Sequence, residues 1–307
     1  MKHAIVTGAT GFVGRNLVKE LAQNGVAVSA VVREISEKTK FLEALPAVVP
    51  VVCTLEDMPQ LPRMLGRVES DTVFCHLAWQ GTAGDARVDY GLQLRNVLYT
   101  IDALKAAQAM GCEGFVGAGS LMEYESTAAV HHESEPPSQA NIYSTAKLTA
   151  HYMSRIAAAN MDIRYVWPYI TNAYGEEEVS PRFLNTTVRK LLAGEQLAFS
   201  AATQQYDFIH VSDVAKAFYL ACEHGVNGRT YCVGSGESRP LKEYIREARD
   251  IIDPSVELAF GEKPGICLDE QYFDTTLIAA DTGFRPNISF TEGILRLQKE
   301  WRKAHEN

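Results

Sequence analysis

Short apolar runs alternate with amphipathic segments through the first half of this chain. Residues 3–7 read as a strand, a glycine-rich turn follows, and an apolar period of 3.6 carries a helix over 13–24. Further apolar runs predict strands at 26–33, 48–53, 72–78, 114–119 and 163–167, with helices at 92–110 and 143–159. The polar stretch 131–141, with His131, His132 and Pro136-Pro137, reads as an exposed loop. Strands alternating with helices imply an α/β architecture: a doubly wound parallel sheet covered on both faces. The second half is more mixed. Helices are predicted at 180–193, 213–224, 241–252 and 290–303, with short strands at 207–211 and 230–233. That pattern returns some strands to the main sheet and builds a smaller mixed α/β cap from the rest.

Composition narrows the function classes. The 307 residues are 46% hydrophobic and 22% charged, enough for a large core, so global disorder is excluded. A net charge of −9 argues against a general nucleic-acid or membrane-surface binder. No apolar run approaches the roughly 18 residues that a bilayer span needs. Met1-Lys2-His3 leads straight into the first strand without a signal-peptide pattern, so a cytoplasmic location is expected. Cys53, Cys75, Cys112, Cys222, Cys232 and Cys267 are scattered without a CxxC pair, so neither a disulfide framework nor a metal site is expected. Glu176, Glu177 and Glu178 read as a solvated acidic run.

The chemistry begins at the first turn. Thr7-Gly8-Ala9-Thr10-Gly11-Phe12-Val13-Gly14 places three glycines three apart at a strand-to-helix junction. Such a turn lets backbone approach a pyrophosphate, and the helix N-terminus favours its charge. At the tip of the second strand stand Val31-Val32-Arg33, with no acid to accept a ribose 2′-hydroxyl. Arg33 suits a 2′-phosphate, so NADP(H) is favoured over NAD(H); stacking of Arg33 on adenine would serve either.

Tyr143 and Lys147 stand four apart on a predicted helix and so share a face. A nearby ammonium is expected to lower the phenol's pKa, fitting Tyr143 to exchange a proton with a carbonyl or alcohol. Ser120, at the end of the fifth strand, is placed to hydrogen-bond the reacting oxygen. Trp79, Gln80 and Thr82 follow the fourth strand at the edge where open α/β sheets bind ligands. Gln80 and Thr82 are candidate substrate contacts, Trp79 a candidate wall. His76, inside an apolar strand, reads as a core histidine.

The segments TGATGFVG (7–14), FCHLAW (74–79), GAGSLMEY (117–124), YSTAK (143–147), TNAYG (171–175) and YDFIHVSDVA (206–215) occur in an order that resembles the extended short-chain dehydrogenase/reductase family, of the NAD-dependent epimerase/dehydratase type. The closing stretch 282–294 resembles the family's C-terminal end. The resemblance implies a Rossmann domain over 1–167 plus about 206–233, and a substrate-binding domain over about 168–205 plus 234–307. It implies hydride transfer to or from nicotinamide, with Ser120, Tyr143 and Lys147 as the catalytic triad. Gly8, Thr10, Gly11, Phe12, Val13, Gly14, Arg33, Leu77, Ala78, Asn96, Lys147 and Pro168 would bind or support the dinucleotide. Met122, Asn172, Arg182 and Tyr206, with Gln80, Thr82 and Ser120, would face the substrate. Homodimers pairing the 92–110 and 143–159 helices are common in the family.

Three departures shape the expected activity. Leu121 and Met122 stand where 4,6-dehydratases carry an acidic pair, so dehydration is not expected; Glu123 is expected to support or face solvent. The missing acid beside Arg33 favours dissociable NADPH and one-way reduction. Tyr206 stands where many nucleotide-sugar enzymes place a diphosphate-binding arginine, leaving Arg182, Arg189 and Lys190 to compensate. The expectation is an NADPH-dependent ketoreductase of a 4-keto, 6-deoxy nucleotide-sugar. The alternatives are a nucleotide-sugar 4-epimerase with tightly bound NAD, a reductase of a small non-nucleotide carbonyl, and a non-enzymatic NADP sensor.

Overall fold

The computed structural model describes residues 1–131, 139, 141–263 and 268–305. Its first half runs β1 (His3–Thr7), α1 (Phe12–Gln23), β2 (Ala27–Val32), α2 (Lys40–Glu43), β3 (Val48–Val52), α3 (Leu61–Leu65), β4 (Thr72–His76), α4 (Tyr90–Met110), β5 (Gly114–Gly117), β6 (Gly119–Ser120), α5 (Met122–His131), α6 (Asn141–Asn160) and β7 (Arg164–Ile170). The second half runs β8 (Asn172–Tyr174), α7 (Phe183–Leu192), β9 (Leu197–Phe199), β10 (Gln205–Tyr206), β11 (Phe208–His210), α8 (Val211–His224), β12 (Arg229–Val233), β13 (Arg239–Pro240), α9 (Leu241–Ile252), β14 (Leu258–Phe260), α10 (Thr276–Thr282) and α11 (Phe290–His305).

The main sheet is parallel throughout, in the order β12-β7-β5-β4-β1-β2-β3, with β6 paired to the end of β7. The strand order reverses between β1 and β4, and the crevice at that switch point is where such sheets take ligands. Pro50 is tolerated because β3 is an edge strand. One apolar core lies under α1 and α8, and a second under α4 and α6. A third is gathered from α7, α9, α11 and the short strands β8, β9 and β11 around Tyr174, Phe208, Tyr244 and Phe290. Asp213 on α8 ties this half to the sheet, its two carboxylate oxygens accepting the amides of Asn287 and Ile288 at 2.9 Å each.

Several boundaries differ from the sequence reading. The helix α5 stands where the sequence suggested only motif and loop, and residues 132–138 and 140 lie outside the described residues, His132 among them. Helix α4 starts at Tyr90 because the Asp89 side chain caps it, accepting Leu92 N–H at 2.8 Å. Strand β7 runs three residues past Trp167, through Pro168. β5 pairs with Arg164–Val166 and β6 with Tyr169–Ile170, so the proline falls in the gap between two ladders. Helix α7 begins only at Phe183, after Pro181.

Candidate active site

The glycine loop is shaped by backbone crowding. Gly8 has φ +70°, and a Cβ there would meet Ala78 N at 2.8 Å. Gly11 N–H donates to Gly8 O at 2.9 Å and starts α1 with no side-chain cap, which leaves the first helical amides for an anion. The groove above holds about 490 Å³ and is lined by Gly8, Thr10, Gly11, Val32, Arg33 and Ala78 on one side, with Cys53, Leu55 and Met58 forming an apolar wall. A loop whose Cβ positions are occupied by neighbouring backbone, an uncapped helix end and an apolar slot fit a dinucleotide's pyrophosphate and adenine.

Not every predicted cofactor residue lines this groove. Phe12, Val13 and Leu77 pack against the core under α1. Gly14 serves the turn itself, since a Cβ there would lie 2.0 Å from Gly8 O. Asn96 is buried and acts through backbone: its Oδ1 accepts Gln80 N–H at 2.9 Å and its Nδ2 donates to Gln80 O at 2.8 Å. Pro168 is buried in the sheet. Gln80, expected to contact substrate, lines this same groove and reaches Glu56. Thr82 is exposed.

Ser120, Tyr143 and Lys147 converge at the sheet edge, from β6 and α6. Lys147 Nζ donates to Ala118 O at 2.8 Å and sits 3.8 Å over the Trp79 ring, while Trp79 packs edge-on against Tyr143. Burial pulls Lys147 down to about 8. The expected lowering of the Tyr143 pKa by Lys147 is not what the protein alone produces. Burial pushes Tyr143 up, and the groups opposing that are the Ser120 hydroxyl and the charges of Arg87 and Arg182.

Behind Ser120 lies a buried network centred on Glu123. Glu123 Oε1 accepts Ser120 N–H at 2.8 Å and Trp167 Nε1–H at 3.2 Å, and its Oε2 pairs with His151 at 2.9 Å. It supports the site from within rather than facing solvent. His76 is a core residue, hydrogen-bonded to Thr7 at 2.9 Å and held down to about 3 by burial. The acidic run is paired, not merely solvated: Glu176 with His210, Glu177 with Arg15 and Lys19, Glu178 with Arg182. No metal-ligating cluster forms among the described residues.

Beyond the triad is a cavity of about 190 Å³ that brings together Met122, Asn172 and Tyr206 with Glu125, Gln204 and Leu268. Arg182 stands apart, 45% exposed, though its charge reaches Tyr143. Two residues here escaped the sequence reading. Arg87 brings its guanidinium carbon to 4.8 Å from the Tyr143 ring centroid. Glu125 lies one helical turn beyond Leu121 and so puts a carboxyl on the same cavity as Leu121 and Met122. The signals were available: an arginine in the loop after the fourth strand, and an acid four residues past Leu121.

Burial pushes the Glu125 carboxyl up to about 7, against the pull of Arg87. The folded chain therefore binds this proton more tightly than the unfolded one. Its contribution to stability is present below pH ~4.5 and is lost as pH rises through about 7. Glu125→Gln is expected to raise the melting temperature at pH 8 by a few degrees, on the order of 1–3 kcal/mol, and to match the parent at pH 4.5. Equal melting temperatures at pH 8 would contradict this reading of the pocket.

The sequence matches the NAD dependent epimerase/dehydratase family over residues 4–234. The chain belongs to that family. It is an NAD(P)-dependent enzyme of the short-chain dehydrogenase/reductase type. It is 23% identical to the dTDP-4-dehydro-6-deoxyglucose reductase of Escherichia coli, covering 97% of each chain. It is 25% identical to the GDP-6-deoxy-D-mannose reductase of Pseudomonas aeruginosa, covering 96% of each. Among solved structures, it shares its fold with the UDP-glucose 4-epimerase of Thermotoga maritima (TM-score 0.80, 21% identity, 98% of this chain and 99% of that one). It also shares it with RMD from Pseudomonas aeruginosa complexed with NADPH (TM-score 0.77, 21% identity, 99% and 100%).

Proposed function

We propose that this enzyme is an NADPH-dependent ketoreductase acting on a 4-keto, 6-deoxy nucleotide-activated sugar. The observation that carries the reading is at the tip of β2. Arg33 there borders both the dinucleotide groove and a side cavity of about 290 Å³ lined by Thr10, Ser36, Lys38 and Thr39. The acids on that side cavity are Glu34 and Glu37, and Glu37 is engaged by Lys40 at 2.7 Å. Two cations and the hydroxyls of Thr10 and Ser36 beside the proposed ribose position suit a 2′-phosphate better than a bare 2′-hydroxyl. The likeness to RMD complexed with NADPH supports the same choice, and the reductases among the relatives support reduction.

When bound, the reduced dinucleotide supplies hydride to the carbonyl carbon. The protein's own groups do the rest. Tyr143 O–H donates the proton to the carbonyl oxygen, and Ser120 O–H holds that oxygen by a hydrogen bond. Lys147 has two donors besides the one spent on Ala118 O, enough to hold the nicotinamide ribose and set its charge against the phenol. Glu123 fixes the backbone of Ser120. Residues 168–205 and 234–307 supply the substrate wall in this reading. Assembly as a homodimer is part of it: α4 and α6 pack together and expose Leu94, Leu98, Met153 and Ile156.

Tyr206 supports a second reading, reduction of a small carbonyl without a nucleotide, since it replaces an expected arginine with an aromatic wall. The test sets 4-keto nucleotide-sugars beside small ketones as substrates with NADPH. One NADPH oxidised per nucleotide-sugar reduced is expected. Oxidation with small ketones only would install the second reading, and oxidation with neither would remove both.

A further inference from the structure

We propose that Arg87 is the anchor for an oxyanionic group of the substrate, delivered from the loop after β4 rather than from position 206. The inference rests on the nucleotide-sugar reading above and deepens it. Arg87 closes a short turn, Asp85–Arg87, and is partly buried against the Tyr143 ring. Its Nε is buried without a hydrogen-bond partner, and its guanidinium forms no ion pair among the described residues. A guanidinium taken partly out of water, with the Glu125 carboxyl acting on it only through space, carries a desolvation cost that no hydrogen-bonded ion pair offsets, while its fork of donors matches a phosphate or carboxylate.

The loop that carries it is held in place. Gln93 on α4 is buried, and its Nε2 donates to Gly81 O at 2.8 Å and to Ala86 O at 2.9 Å. Its Oε1 accepts Trp79 Nε1–H at 2.9 Å. One side chain therefore fixes Trp79 at the catalytic tyrosine and the residue preceding Arg87. Its guanidinium carbon lies 4.8 Å from the Tyr143 ring centroid, which sets the charge beside the triad, and that charge acts on Tyr143, Glu125 and Tyr206. An anion there has two sources in a nucleotide-sugar: the diphosphate bridge, or a carboxylate on the sugar ring.

The experiment measures binding to the NADPH-loaded enzyme and its Arg87→Met and Arg87→Lys variants. The probes are UDP, CDP, GDP and dTDP, then UDP-glucuronic acid against UDP-glucose. Arg87→Met is expected to weaken nucleoside diphosphates roughly 10- to 100-fold, Arg87→Lys to recover part of the loss, and NADPH affinity to stay at the parental value, which also shows that the variants fold. Unchanged nucleoside diphosphates with a lost preference for UDP-glucuronic acid would keep Arg87 as anchor and assign the anion to the sugar. Parental binding of every probe by Arg87→Met overturns the proposal while leaving the nucleotide-sugar reading intact. A parent enzyme that binds none of them overturns both.

Discussion

A Tyr143→Phe enzyme is expected to lose turnover by about 10²–10⁴-fold while keeping its fold and its affinity for the dinucleotide. The change removes one oxygen. The ring contacts with Trp79 and with the Arg87 guanidinium survive, because both are made to the ring. Burial holds the phenol in its protonated form, and that form is the one reduction needs, since the carbonyl oxygen must receive a proton as hydride arrives. Steady-state kinetics at saturating substrate, with a parallel dinucleotide titration, separates the two effects. A variant that turned over at the parental rate would remove Tyr143 as the acid.

The Gly14→Ala substitution is expected to do comparable damage by a different route. The added methyl would lie 2.0 Å from Gly8 O, 2.8 Å from Gly8 C and 3.2 Å from Ala9 Cα. All three are backbone atoms, so relief requires moving the turn proposed to receive the pyrophosphate. Overpacking of this kind costs typically about 1–3 kcal/mol, and here the displaced atoms belong to the proposed dinucleotide site. Dinucleotide affinity is expected to fall by about 100-fold or more, the equivalent of about 2.7 kcal/mol. Gly25→Ala is the control. It has φ +75° and nothing within 4 Å of its Cβ, so only the cost of a left-handed alanine remains, about 1–2 kcal/mol, with dinucleotide affinity unchanged. Parental affinity in Gly14→Ala would mean that the turn has slack the structure does not show.

These two sites differ in how far the sequence announces them. The glycine loop is legible because its requirement is local: three glycines, a strand before and a helix after. The same holds for the alternation that builds the sheet, and for Asp89 as a helix cap once its position is known. Strand β7 was cut short at Trp167 because a proline normally ends a central strand, and only the sheet reveals the gap between the β5 and β6 ladders that admits Pro168. Helix α5 was missed because its stretch, MEYESTAAVH, has almost no amphipathic bias to mark it. Arg87 and Glu125 were illegible for a further reason. Arg87 meets the Tyr143 ring, and Glu125 meets Tyr206, only once a loop after β4, a helix after β6 and strand β10 have come together in the fold. Gln80 lines the groove beside the glycine loop, a placement that sequence order does not tell, since it leaves open which face a turn presents.

The central claim, one-way reduction with NADPH, is tested most directly at the dinucleotide. The protein is purified, any bound dinucleotide is released and identified, and the emptied enzyme is titrated with NADPH and NADH. The account predicts a marked preference for NADPH, with ready exchange. NAD retained through purification, and weak binding of NADPH, would contradict the reading of Arg33 and its side cavity and put a 4-epimerase in first place.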